Sequence, residues 1–155
     1  MPMNLVLEYL KFFLKSSNQH GVHSPFVYDF TTKCLYKKTD PNLWHSFLKI
    51  RRQLVDNKTT LKVTDFGAGS TIFKSDQRKV SKITKIAGIS FKKAKLVLLL
   101  MNYFQPKNVL EIGTSLGLGT SAITIGNKNS KTITLEGCTE TSKVACNLFN
   151  AKLID

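Results

Sequence analysis

Apolar residues recur at helical spacing through most of the first hundred positions. Met1 to Lys15 carries Leu5, Tyr9 and Phe12 together with Leu10, Phe13 and Leu14, the pattern of an amphipathic helix. A polar stretch, Ser16 to His23, separates it from Ser24-Pro25. Serine there can accept from free backbone amides and proline suits a first turn, so a helix is predicted from Phe26 to about Tyr36. Asp40-Pro41 repeats that signal, and Trp44, Phe47, Leu48 and Ile50 carry the next helix to Leu54. Leu61 to Asp65 reads as a short strand, with Gly67-Ala68-Gly69-Ser70 as the turn after it. From Asp76 to Ala87, Val80, Ile83 and Ala87 fall on one helical face and Arg78, Lys79, Lys82 and Lys85 on the other. Gly88 ends that helix. Ser90 caps another over Phe91 to Tyr103, which Gln105-Pro106 stops.

The pattern then changes. Val109-Leu110-Glu111-Ile112 is a short apolar strand running into a glycine-rich turn, and Leu118 to Ile125 begins a helix. Thr132-Ile133-Thr134-Leu135-Glu136 is a β-branched strand ending in an acid, and Thr139 to Phe149 forms a second helix through Val144, Leu148 and Phe149. Strand, helix, strand, helix is the order of a parallel α/β sheet. The expected organisation is a mainly helical region, 1–108, followed by a βαβα segment, 109–155. No internal repeat, low-complexity tract or flexible linker interrupts it.

Composition narrows the class. With 42% hydrophobic and 21% charged residues the chain can bury a core. The best apolar run, Leu96 to Met101, falls far short of the roughly 20 residues a membrane helix needs. Glu8 and Lys11 interrupt the apolar N-terminus, which lacks a small-residue cleavage site, so a cytoplasmic protein is expected. Cys34, Cys138 and Cys146 form no CxxC pair and have no histidine at metal spacing; they read as reduced, structural thiols. Charge is uneven: residues 1–108 hold 19 Lys and Arg against 6 Asp and Glu, whereas 109–155 hold 4 against 4. The excess is densest from Lys74 to Lys95. Such a field can steer nucleic acid or acidic metabolites. Twenty of the 23 basic residues are lysines, however, and few aromatics interleave in the dense stretch, a composition that fits a solvated surface.

The candidate chemistry lies in Gly113-Thr114-Ser115-Leu116-Gly117-Leu118-Gly119-Thr120, between strand and helix. Glycines let the backbone turn sharply and let a ligand approach without meeting a Cβ. The helix that follows aims its amino end at that ligand. Glu136 falls at the end of the next strand, which a right-handed βαβ unit lays beside the first. A carboxylate there can accept both ribose hydroxyls. This is the grammar of a Rossmann-like nucleotide-binding fold. The spacing G-x-x-x-G-x-G differs from the G-x-G-x-x-G of dinucleotide loops, which disfavours an NAD-binding oxidoreductase.

Val109-Leu110-Glu111-Ile112-Gly113-Thr114-Ser115-Leu116-Gly117 resembles the cofactor loop of class I S-adenosylmethionine-dependent methyltransferases, and within them the small-molecule O-methyltransferase branch. The resemblance implies S-adenosylmethionine as cofactor. It implies that Glu111 helps hold the methionine end, that Gly113, Thr114, Ser115 and Gly117 wrap the cofactor, and that Glu136 takes the ribose. Gly119, Thr120 and Gly137 complete the expected cofactor site. Gly21-Val22-His23-Ser24-Pro25-Phe26, Asp65-Phe66-Gly67-Ala68-Gly69-Ser70 and Tyr103-Phe104-Gln105-Pro106 are similar to a group of uncharacterised bacterial methyltransferases. That likeness implies a family and no methyl acceptor, which is as compatible with RNA as with a small molecule.

A class I methyltransferase sheet has about seven strands, so the chain is expected to hold an incomplete, C-terminally truncated version, inactive alone. Its catalytic residues are then not among those present. Unpaired edges on Val109 and Thr132 strands predict self-association, and no membrane partner is expected. Two decoys compete. Asp65-Phe66-Gly67-Ala68-Gly69 imitates a cofactor loop but lacks a following apolar helix face and a strand ending in an acid, and reads as a turn that can fold near the cofactor. Val80 to Leu98 imitates a DNA-binding helix-turn-helix, the alternative reading, although Leu96-Val97-Leu98-Leu99-Leu100 belongs in a core rather than a groove. His20 and His23 have no third ligand, and His45 beside Trp44 reads as a helix-surface residue.

Overall fold

A computed structural model describes residues 3–16, 21, 23–65 and 73–150. The chain divides into two compact units, Met1–Lys37 and Lys38–Asp155. In the first, helix α1 spans Met3–Lys15 and α2 spans Pro25–Asp29, continuing as a π-helix over Phe30–Leu35. Ser24 Oγ accepts from the Val27 amide with Pro25 in the first turn, as the sequence predicts. The π-turn marks where the expected single helix widens: Tyr36 N bonds Thr31 O rather than a carbonyl four residues back. The apolar side chains of α1 are exposed, Leu14 most of all. Residues 17–20 and 22, which include His20, lie outside the described residues.

The second unit is a mixed α/β body. Helix α3, Pro41–Asp56, starts where Asp40 Oδ1 accepts from the Asn42 and Leu43 amides at 2.7 and 3.4 Å. Its Phe47, Ile50 and Leu54, at helical spacing, are buried. Strand β1, Thr60–Lys62, pairs antiparallel with β2, Gln77–Lys79, with Leu61 opposite Arg78. Helix α4 covers Val80–Ile86, and α5 covers Phe91–Phe104, capped by Ser90 Oγ on the Lys93 amide. Gln105, in the left-handed region at φ 46°, ends α5. Parallel strands β3, Asn108–Ile112, and β4, Lys131–Leu135, flank α6, Leu118–Gly126; α7 spans Thr139–Asn150.

One expectation needs correction. The helix predicted from Asp76 begins at Val80, and Gln77–Lys79 is extended. Those three residues offer no apolar position to a helix face. Their backbone groups are satisfied instead by β1, in a ladder prolonged by Val63 N to Asp76 O and Val80 N to Thr59 O. The turn predicted at Gly67–Ser70 lies outside the described residues.

The change in charge at residue 108 is not a change in packing. One core joins Phe47, Ile50 and Leu54 of α3 to Val80 and Ile83 of α4, Ala94 and Leu98 of α5, and Leu118, Ala122 and Ile125 of α6. Burying each large aliphatic or aromatic side chain contributes about 1.5–3 kcal/mol. Helix α6 is thus wedged between the helical layer and the β3–β4 pair, and its amino end is held firmly where the glycine loop enters it.

The sheet's two faces differ. Val109, Glu111, Thr132 and Thr134 are half-buried on one side. Leu110, Ile112, Ile133 and Leu135 on the other remain 53 to 82% exposed. Parallel sheets are ordinarily covered on both faces. Among the described residues, no helix is long and apolar enough to cross a membrane.

Candidate cofactor cleft

The glycine loop crosses the carboxyl ends of β3 and β4. Gly113 N and Thr114 N both donate to Leu135 O, at 2.8 and 3.1 Å, so the loop is stitched to the end of the neighbouring strand. Gly113 has φ +95° and Gly117 φ +84°, a region that disfavours side chains. Gly117 is the N-cap of α6. Nothing lies within 4 Å of the place where a Cβ on Gly113 would stand, so its bare backbone faces open space. Ser115, at φ +50°, is left-handed without being glycine, and it is held there by a partner.

That partner is Glu136. Its Oε2 accepts from the Ser115 amide at 2.6 Å and its Oε1 from the Cys138 amide at 2.9 Å. Both bonds are charge-assisted, and together they fix the carboxylate at the mouth of the loop. Glu111 is anchored as firmly on the other side. Its Oε2 accepts from Thr120 Oγ1 at 2.5 Å and from Thr134 Oγ1 at 2.7 Å. Since Thr134 spends its single hydroxyl proton on Glu111, the contact between Thr114 and Thr134 must have Thr114 as donor. The relay Thr114 to Thr134 to Glu111, with Thr120 joining from α6, ties the loop, both strands and the helix to one carboxylate. Gly119 lies directly against Glu111 Oε1, with no room for a Cβ.

Open space flanks the loop on both sides. On the Glu136 side a cleft of about 900 Å³ runs between Gly113, Ser115, Glu136 and Gly137 and an opposing wall that includes Phe73 and Arg78. On the Glu111 side a second recess of about 520 Å³ is closed by the α4–α5 turn, with Ser90 and Lys93 across from Glu111 and Gly119. Each lies within the range of small-molecule sites, about 300–1,000 Å³.

No protein-family model, curated protein or solved structure matches this chain. The site therefore stands on its own geometry.

The structure brings Glu111, Thr114, Thr120 and Gly119 into one cluster and Ser115 and Glu136 into a second; Gly137 lines the larger cleft. His45 is exposed and lines neither recess, and His23, in the first unit, is exposed. Among the described residues no three of His, Cys, Asp and Glu converge as metal ligands. The three cysteines are free, Cys34 and Cys138 buried and Cys146 exposed.

Two features escape a reading of motifs. Apart from Asp65, whose turn is expected near the cofactor, the far wall of the cleft comes from Val63, Thr64, Phe73 and Arg78, well before the loop in sequence. Cys138, at the start of α7, also lines the cleft. Burial raises its thiol pKa, but hydrogen bonds from the backbone and hydroxyl of Thr141 and from the backbones of Thr64 and Glu140 outweigh that and bring it below the ordinary value. A short polar residue just before a helix is the only local sign of this position.

Proposed function

We propose that β3, α6, β4 and α7 are the cofactor-binding part of a Rossmann-like class I methyltransferase sheet, and that the cleft around Gly113 to Ser115 binds S-adenosylmethionine. The observation that carries this reading is the pairing of two fixed carboxylates, Glu111 and Glu136, on either side of a bare glycine turn at the carboxyl ends of parallel strands. In open α/β sheets ligands bind at that end.

The residues present fit the group. Gly113 offers backbone with no side chain in the way. Glu136, directed into the cleft by two amides, has acceptor capacity left for the ribose hydroxyls. The recess beside Glu111 carries both an acid and, from Lys93, a base, a charge pair suited to an amino-acid end. When bound, S-adenosylmethionine supplies an electrophilic methyl group. The chain's own part is to bind and orient: Thr120 and Thr134, the latter backed by Thr114, hold the Glu111 carboxylate aimed, and the Ser115 and Cys138 amides do the same for Glu136. Orientation of this kind is a large share of what an enzyme contributes to a two-substrate reaction.

Calorimetric titration of S-adenosylmethionine into the purified chain tests the reading, with NAD and a Glu136→Ala variant as controls. Saturable binding that the variant loses supports it. A folded chain that ignores S-adenosylmethionine but binds duplex DNA with a steep salt dependence refutes it in favour of the helix-turn-helix alternative.

A further inference from the structure

The larger cleft has a second wall, and its chemistry differs from that of the loop. Phe73 and Arg78, with Ile83, Ile86 and Ala87 of the α4 region, face Gly113, Ser115 and Glu136. Arg78 sits in the short strand β2 with its side chain only 13% exposed. Its Nε donates to Ser75 O at 3.1 Å, and Nη2 forms an ion pair at 3.4 Å with Oδ2 of Asp65, which lines the same cleft. Nη1 has no hydrogen-bond partner among the described residues. The guanidinium carbon lies 4.8 Å from the centre of the Phe73 ring, with Lys82 Nζ 5.5 Å from the same ring. A guanidinium has five donors in a planar fork suited to carboxylate or phosphate. Placing one at the edge of a cleft, with donors in hand and an apolar ring and three aliphatic residues beside it, makes a place for a molecule with an apolar body and one oxyanion.

We propose that this wall holds the methyl acceptor, and that the acceptor is a small organic anion whose carboxylate or phosphate meets Arg78 while its apolar part lies against Phe73, Ile83 and Ile86. The inference rests on the cofactor reading for the word acceptor, but the anion subsite stands on Arg78 and the cleft alone. The cleft's volume, near the upper end of the usual range, leaves space for a second small molecule beside a cofactor. The surrounding excess of base, with Lys74, Lys82 and Lys85 close by in sequence, raises the local concentration of such anions.

The experiment titrates benzoate and phenyl phosphate into the full chain, with benzyl alcohol and benzylamine as neutral and cationic counterparts, each with and without saturating S-adenosylmethionine. The anions should bind and the amine should not. Arg78→Met should weaken the anions roughly ten- to a hundredfold, the range for losing a hydrogen bond to a charged group. Arg78→Lys should retain part of the affinity, and Lys79→Met, a neighbouring exposed charge, should leave it unchanged. Benzylamine binding as tightly as benzoate in the unaltered chain overturns the proposal without recourse to any variant. Equal losses in Arg78→Met and Lys79→Met also overturn it, since they indicate net charge rather than a site. Exclusion of the anions by S-adenosylmethionine does so too, because Arg78 would then serve the cofactor. If S-adenosylmethionine itself fails to bind while Arg78-dependent anion binding persists, the cofactor reading falls and the anion subsite remains.

Discussion

Replacing Gly119 by alanine sets two effects against each other, and their sum has a definite sign. Gly119 is the second residue of α6, and glycine in a helix is ordinarily less favourable than alanine by up to about 1 kcal/mol. At an unconstrained position the substitution would stabilise the protein. Here the new Cβ would overlap Glu111 Oε1. The carboxylate is the far end of a flexible side chain and can swing aside, but only by releasing Thr120 and Thr134. Hydrogen bonds to charged groups contribute about 1.5–3 kcal/mol each when buried. Glu111 is half-buried, so water replaces part of what is lost, and halving the pair gives about 1.5–3 kcal/mol. Less the helix gain, Gly119→Ala should destabilise by about 1–2 kcal/mol. Urea unfolding followed by circular dichroism measures this through the midpoint at constant slope. A companion variant, Glu111→Ala/Gly119→Ala, removes the overlap, so adding Gly119→Ala to Glu111→Ala should be neutral or stabilising. A Gly119→Ala protein more stable than its parent would refute the account of Glu111 as a tethered carboxylate.

Three other outcomes are expected. Glu136→Ala should abolish saturable S-adenosylmethionine binding while leaving a cooperative unfolding transition, since the side chain lies at the cleft and not in the core; unaltered affinity would remove it from the site. Cys138 has a folded pKa below the ordinary thiol value, because hydrogen bonds to the thiol outweigh burial. Between those two pH values the unfolded chain binds a proton that the folded chain has released, so stability rises with pH across the window and is lost as pH falls through the folded pKa. The thermal midpoint of the parent should therefore climb relative to Cys138→Ala as pH rises from the folded pKa towards the ordinary thiol value, and parallel curves would show that the thiol is not perturbed. The exposed sheet face should drive association: sedimentation of the parent should depend on concentration, and Ile112→Thr/Ile133→Thr should suppress that dependence, with no difference between them counting against the face as an adhesive surface.

The parts legible in the sequence are those whose signals are local. Ser24-Pro25, Asp40-Pro41 and Ser90 announce helix starts because the capping oxygen and the amides it receives are two or three residues apart. β3 and β4 stand out because β-branched and aliphatic runs bracket a glycine turn. The parts that escape depend on distant partners. Gln77–Lys79 looks like the polar beginning of the α4 helix, and only its pairing with Thr60–Lys62 makes it a strand. Glu111 and Glu136 are recognisable as acids at strand ends, yet the hydroxyl relay that fixes Glu111 joins residues 114, 120 and 134, which share no spacing rule. Arg78 appears in the sequence as one more base on a charged stretch. Its place on the cleft follows from the hairpin that carries it across from the glycine loop.

The way Glu136 is held bears on how quickly and at what entropic cost a ligand can be captured. An ionised carboxylate offers about four acceptor directions. Ser115 and Cys138 occupy two, one on each oxygen, which leaves one direction on each oxygen for a vicinal pair of hydroxyls. In the proposed complex no internal bond has to break before the ribose is received, and the side chain's rotamer is already chosen. An unrestrained glutamate would surrender up to about 1.5–2 kcal/mol of conformational freedom on binding. Here that loss belongs to folding, so the acid meets its ligand preorganised.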